Sequence, residues 1–206
     1  MLVGGQPSRL LICSLGNPGS QYTNTRHSVG HFMLDLLMAS HRTKLSNKLY
    51  IPGLNGDLYK GTSVLNQRRP DHMIAMFKCG SLMNASGLPI TKAWDWAKGQ
   101  FGESAKLVIL HDELDLSVGK IEARNDRKAR GHNGLKSVLK HIPDNYYNIR
   151  IGIDRPPTRS PVAVASYVLS KIPPQERTEI EEDVYPKLWD ILDSIEGIPS
   201  PQNLKK

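Results

Sequence analysis

Residues 9–15, RLLICSL, form an apolar run, and Val29, Phe32, Met33, Leu36 and Leu37 follow at helical spacing, which predicts a strand and then a helix. Two further runs, DLYKGTSVLNQ (57–67) and HMIAMFK (72–78), read as neighbouring antiparallel strands, with a helix around LPITKAWDWAK (88–98) after them. KLVILH (106–111) predicts a central strand. It leads through DELDLSVG to a strand at KIEAR (120–124), a basic loop, a helix from Asn133 to His141 and a final strand, NIRIGID (148–154). The alternation predicts an α/β fold, one domain with a twisted mixed β-sheet flanked by helices in three αβα layers. A last helix should start after Pro173-Pro174 and run toward Ile195, with Ile180, Val184, Leu188 and Ile191 as its packed stripe. Pro186 should kink or break it at Tyr185, giving two pieces. Residues 1–8 read as an extension, 9–195 as the domain and 196–206 as a loose tail, with no internal repeat.

A chain of 206 residues can bury a core without staples. Its two cysteines, Cys13 and Cys79, lie in apolar runs and read as buried free thiols of a reducing compartment. No segment approaches the roughly 20 apolar residues of a membrane span, and residues 1–8 lack the apolar centre of a signal peptide. Net charge is +7, unevenly spread. Residues 176–196 hold eight acids against Arg177 and Lys187, a net of −6, so the remainder carries +13. Residues 120–140 carry seven bases against Glu122 and Asp126. That stretch is the best phosphate-binding candidate.

Ligands of open α/β sheets collect at the carboxyl ends of strands. There the chain places Asn17 and His27 after the first strand, Asn84 after HMIAMFK, Asp112 and Asp115 after KLVILH, and Asn133 at the opening of a helix. His27 lies near a helix start, where the dipole disfavours imidazolium and leaves a nitrogen free as a base. Asp112, accepting the other ring N–H, would fix the tautomer and restore basicity. A metal is the rival reading, because His27 and His31 are spaced i, i+4 and Asp112 and Asp115 add oxygens. However, neither HExxH nor a Cys/His cluster occurs. Plainer roles also exist: Asp112 capping a charged turn, Asn84 or Ser86 capping the helix after LMNASG, and Asn133 capping the helix after GHNG. Free N–H groups at that last helix also suit an oxyanion. No GxSxG motif supports a nucleophile at Ser14, Ser28 or Ser86.

Taken together and in order, LGNPGSQYTNTRHSVG, LMNASG, HDELDLSVGKI and RGHNGLKSV, followed by IRIGID, resemble the bacterial-type peptidyl-tRNA hydrolases over roughly residues 9–192. The resemblance implies a phosphorylase/hydrolase-like fold and hydrolysis, without metal or cofactor, of the ester joining a peptide to the terminal ribose of tRNA. It implies His27 as catalytic base, Asp112 as its supporting carboxylate, Asn17 as the amide that distinguishes N-blocked peptidyl groups, and Asn84 and Asn133 as active-site amides. Met83 would pack beside Asn84, Tyr22 would line the terminal-adenosine site, and Leu82 and His132 would contact substrate. Arg124 and Arg150 would hold the 5′ phosphate. The implied partner is peptidyl-tRNA, engaged through its acceptor stem, 3′ end and 5′ phosphate by a soluble monomer of the cytoplasm or, in a eukaryote, the mitochondrion, with no membrane. Two departures stand out: the family's glycine-rich stretch before GHNG is here NDRKAR (125–130), and Leu82 replaces an aromatic residue. The competing expectation is an RNA-binding scaffold of the same fold without hydrolysis.

Overall fold

The computed structural model describes residues 9–63, 72–158 and 160–197. Among these, seven strands form one mixed sheet. Its members are β1 (Arg9–Ser14), β2 (Thr43–Leu45), β3 (Gly56–Ser63), β4 (His72–Cys79), β5 (Ala105–Glu113), β6 (Ile121–Asn125) and β7 (Tyr147–Gly152). They lie in the order β2-β3-β4-β1-β5-β7-β6. The four inner strands β4, β1, β5 and β7 run parallel, and both flanks are antiparallel.

The continuous apolar character of β1 has a direct cause. Leu10 and Ile12 face one side, with Met33, Leu34 and Leu37 of α1 (Val29–Ala39) and Leu188 and Leu192 of α6 (Tyr185–Ile195). Leu11 and Cys13 face the other, with Ile90, Ala93 and Ala97 of α2 (Gly87–Phe101) and Leu135 and Val138 of α3 (Asn133–Leu139). A strand covered by helices on both faces has no solvent side, so its period of two is hidden in an unbroken run. The three expected αβα layers follow. Cys13 and Cys79 are buried free thiols, and burial raises both above the ordinary thiol range. Among the described residues no helix is long and apolar enough to cross a membrane.

Two elements have no counterpart in the sequence reading, the three-residue edge strand β2 and α4 (Pro161–Leu169). PVAVASYVL is rich in β-branched residues and short of polar spacing, and it is helical because Pro161 opens its first turn and Tyr167 Oη donates to Ile153 O at 2.6 Å. The terminal helix comes in the two expected α pieces, the second starting at Tyr185, and the interruption between them is a π turn. α5 (Pro174–Glu179) passes through a π turn at Ile180–Val184 directly into α6. The Tyr185 N–H reaches back to Ile180 O, and Pro186 sits in the first turn of α6, where its missing donor costs little. Ile180, Val184 and Leu188 are buried as the stripe requires, and Ile191 packs partly buried against them. The 1–8 extension, positions 64–67 of the expected strand and nearly all of the C-terminal tail lie outside the described residues.

Candidate active site

The turn after β1 is built to press one helix onto two strands. Leu15 N–H continues the ladder to Leu110 O, and a 3₁₀ turn at Arg26–Ser28 leads into α1. A Cβ on Gly30 would meet Leu110 O at 2.5 Å and Leu15 O at 2.6 Å, so only glycine lets α1 approach so closely. Thr25 Oγ1 donates to Tyr22 O and to Ser28 Oγ, which shapes the turn that presents His27.

Asp112 stands at the end of β5 with its side chain 3% exposed. Its Oδ1 receives two hydrogen bonds, from His27 Nδ1 at 2.9 Å and from His132 Nε2 at 2.9 Å. The tautomer of His132 is fixed locally. Its Nδ1 accepts the Gly134 and Leu135 amides as the N-cap of α3, so its proton sits on Nε2 and is donated to Asp112. This corrects the expectation of Asn133 as the cap, since Asn133 is the first helical residue. It also removes Asp112 from any turn-capping role. His27, giving its Nδ1–H to Asp112, keeps the Nε2 lone pair.

Electrostatics follow the same lines. Burial alone would raise Asp112, but His27 and His132 together hold it far below the usual carboxylate range. For His27 burial lowers the pKa, and the charge and hydrogen bond of Asp112 more than offset it, so the net shift is upward. The helix-start argument pointed the other way and is overruled by the carboxylate. His111 is neutral: burial, with His132 alongside, lowers it to about 3, and its Nδ1–H is donated to Asp112 O at 2.8 Å.

His31 does not join this group. Its Nδ1 bonds Ser14 Oγ at 2.7 Å, a Cβ on Gly16 would strike its ring at 2.3 Å, and burial lowers it to about 4. The His27/His31 metal pair is therefore not assembled. Among the described residues His27, Asp112 and His132 alone offer three ligand atoms within 4.8 Å of one another. Two ring N–H bonds to one oxygen account for that spacing without an ion.

The amides converge from three other segments. Asn17 Oδ1 accepts Met83 N–H at 2.8 Å, and its backbone N–H donates to Ser28 Oγ, which leaves its Nδ2 without a partner among the described residues. Asn84, in the 3₁₀ turn Met83–Ala85, and Asn133 are exposed and have no hydrogen-bond partner among the described residues. Buried Met83 lies under the start of α3, where a Cβ on Gly134 would meet Met83 Sδ at 2.5 Å. Ser86 caps α2 by position but uses its hydroxyl on Met83 O. Leu82 is 53% exposed. Half-buried Tyr22 lines a cavity of about 510 Å³ that runs from Asn17 past Phe32 toward Asp35, Asp57 and Lys78.

Arg124 and Arg150 lie on the opposite flank and both are engaged. Arg150, 8% exposed, donates from Nε to Glu113 and from Nη1 to Glu122, and Arg124 donates to Glu122. Within NDRKAR, Arg127 donates to Ile142 O and Arg130 pairs with Asp126, while Lys128 is exposed. Sequence reasoning missed His111, Glu113 and Glu122 as members of the site, and also Arg26. That arginine, beside His27, is buried, clamped by both oxygens of Glu176 and covered by the Tyr167 ring at 4.5 Å. No local pattern marks a pair 150 residues apart.

Comparisons with known proteins agree on one family. The family model for peptidyl-tRNA hydrolase matches residues 11–200. A Bacillus subtilis protein of that name is 36% identical over 176 residues, 85% of this chain and 86% of its own. A Saccharomyces cerevisiae protein, likewise named, is 34% identical over 195 residues, 89% of this chain and 95% of its own. The crystal structure of peptidyl-tRNA hydrolase from Acinetobacter baumannii aligns with a TM-score of 0.76 at 29% identity, over 94% of this chain and 92% of that one.

Proposed function

The chain belongs to the peptidyl-tRNA hydrolase family, and on that premise we propose that it cleaves the ester of N-blocked peptidyl-tRNA by general-base attack of water from His27. The observation that carries the reading is the shared Asp112 oxygen, because it commits the Nδ1 proton of His27 and frees Nε2. Nε2 takes a proton from water as the oxygen attacks the ester carbonyl, and Asp112 stabilises the imidazolium that forms. The proton then passes to the departing ribose oxygen. The side-chain N–H groups of Asn17, Asn84 and Asn133 are the donors for the developing oxyanion and for the peptide backbone. His132 is a positioning residue rather than a substrate ligand, since both of its ring nitrogens are occupied.

Charge divides the substrate across the sheet. The RNA lies over β6, β7 and α3, on the stretch of chain that carries exposed Lys128, Lys136 and Lys140. The peptide enters the cavity on the β3/β4 side, where Lys78 and Lys48 are held by Asp35 and Asp57 and so offer no free cation to phosphate. Tyr22, at the head of that cavity, supplies a ring face for the terminal adenosine, and exposed Leu82 supplies apolar surface nearby.

The test is release of peptide from N-acetyl-aminoacyl-tRNA, with EDTA present, comparing the native chain with His27→Ala and using unblocked aminoacyl-tRNA as control. Cleavage of the blocked ester by the native chain alone is the expected result. A native chain that binds tRNA and cleaves nothing would replace this reading with the RNA scaffold, and loss of activity in EDTA would replace the base with a metal.

A further inference from the structure

Arg26 and His27 are consecutive residues of the 3₁₀ turn Arg26–Ser28, in which successive side chains leave the axis about 120° apart. His27 reaches Asp112, while Arg26 leaves in another direction and is 6% exposed. Both Nη groups of its guanidinium donate to Glu176, in the first turn of α5, with Nη2 at 2.8 Å from Oε1. The Tyr167 ring of α4 covers the guanidinium, and the Tyr167 hydroxyl is tied to Ile153 O just past β7. Arg26 Nε is buried with no acceptor among the described residues, so the two Nη groups and the ring face carry the contact.

The chain between α4 and α5 grips the same turn by its backbone. Arg26 N–H donates to Ser170 O at 3.0 Å and Ile172 N–H to Asn24 O at 2.8 Å, with Thr25 and Lys171 forming an antiparallel bridge between them. Lys171 Nζ donates to Gln21 O and Thr23 O, and Asn24 is held in the left-handed region at φ 58°. A turn of three residues makes too few hydrogen bonds to fix its own orientation. Asp112 therefore holds the His27 ring, and the segment from Tyr167 to Glu176 holds the backbone from which that ring hangs. A buried ion pair adds little net stability, because desolvation offsets most of its Coulombic gain, but a two-pronged guanidinium contact fixes direction closely.

We infer that Arg26 and Glu176 are positioning residues for the base: their pair, backed by the Tyr167 ring, sets the orientation of the Arg26–Ser28 turn and so the alignment of His27 on the Asp112 oxygen. This rests on the reading of His27 as the base, and it goes further in giving the α4–α5 segment a share in the rate. Charge and alignment act on His27 with opposite signs. Losing the Arg26 cation alone would raise the His27 midpoint, because a positive neighbour disfavours imidazolium. Losing alignment lowers it, because Asp112 is what holds His27 above 6.5 against burial. The other groups facing the ring are Asp112 from β5 and His132 ahead of α3, with the two imidazole centroids 5.0 Å apart, and neither is altered by changes at Arg26.

The experiment compares the native chain with Arg26→Met, Arg26→Lys and the double variant Arg26→Met/Glu176→Gln. It measures kcat and KM on N-acetyl-aminoacyl-tRNA, the folded fraction by circular dichroism, and the His27 midpoint by NMR pH titration. In Arg26→Met, kcat per folded molecule should fall roughly 10- to 100-fold with KM within about twofold of native, and the His27 midpoint should move down. Arg26→Lys keeps the charge without the fork and should recover no more than about threefold of that loss. The double variant leaves no unpaired carboxylate, so it keeps the test intact where Arg26→Met fails to fold, and it should show the same loss and the same downward midpoint. A native kcat in these variants would overturn the inference, as would a rate loss that matches the unfolded fraction, a loss confined to KM, or a midpoint that rises. If the native chain cleaves no blocked ester, the general-base reading falls, and the direction of the His27 midpoint still decides this one.

Discussion

Asp112 and Glu113 are successive residues of one strand, so their side chains leave it on opposite sides. Both are buried and both are paired. Asp112 meets two imidazoles, one of which, His27, keeps a ring nitrogen free to take a proton, whereas Glu113 meets the guanidinium of Arg150, which has donors only. One site can move a proton and the other can only hold charge in place. A buried carboxylate is therefore a poor marker of catalysis until its partner is known.

The largest effect that would break this contrast is at His27. His27→Ala should lower kcat roughly 10²- to 10⁴-fold while tRNA affinity stays near native, read by single-turnover hydrolysis beside a binding titration. The counterpart on the other side of the strand is Glu113→Ala, which leaves a buried guanidinium with Glu122 alone. Unfolding free energy should drop by about 3–5 kcal/mol in a denaturant titration. If Glu113→Ala kept its stability and lost only rate, the two carboxylates would not differ in kind.

The contrast is only half legible in the sequence. The strands at 9–14 and 105–113 stand out as apolar runs, and HDELDL begins within the end of the second, so Asp112 and the level of the site are readable. The partner of each acid is not. His27 lies 85 residues from Asp112 and Glu113 lies 37 from Arg150, distances that only the strand order closes. The resemblance implies His132 as a substrate contact, yet its Nδ1 is consumed by the α3 amides and its Nε2–H by Asp112. His31 shares a spacing with His27 that suggests a common ligand, and is drawn instead to Ser14 under the turn. Arg124 and Arg150 read as free cations because a sequence lists charges without their pairing.

A smaller effect sharpens the role of the shared oxygen. The base works deprotonated, and Asp112 outweighs burial to hold the pKa of His27 above its ordinary 6.5. Activity should therefore fall as pH drops through that raised value, with the acid limb of kcat/KM above pH 6.5. In His132→Ala the Asp112 oxygen serves His27 alone, which favours imidazolium further, and the limb should move to higher pH. His132→Gln, which restores an N–H donor, should move it back. A limb that stays fixed in both variants would reduce His132 to the cap of a helix.

The smallest expected effect separates the two kinds of cation inside the basic segment, and it repeats the contrast between mobile and fixed charge. Lys128 and Lys136 are exposed and have no partner among the described residues, so each is free to exchange counterions for an RNA phosphate. Arg130 sits in the same stretch but already pairs with Asp126 at 3.1 Å. A cation that neutralises one phosphate adds about 0.7–0.9 to the slope of log affinity against log salt. Lys128→Gln and Lys136→Gln should each lower the slope for tRNA by about that amount, and Arg130→Gln should lower it by less than half as much. Salt titrations of tRNA binding measure all three. Equal losses would mean that the Asp126 pair opens on binding, and the arginine would then count with the lysines as a phosphate contact.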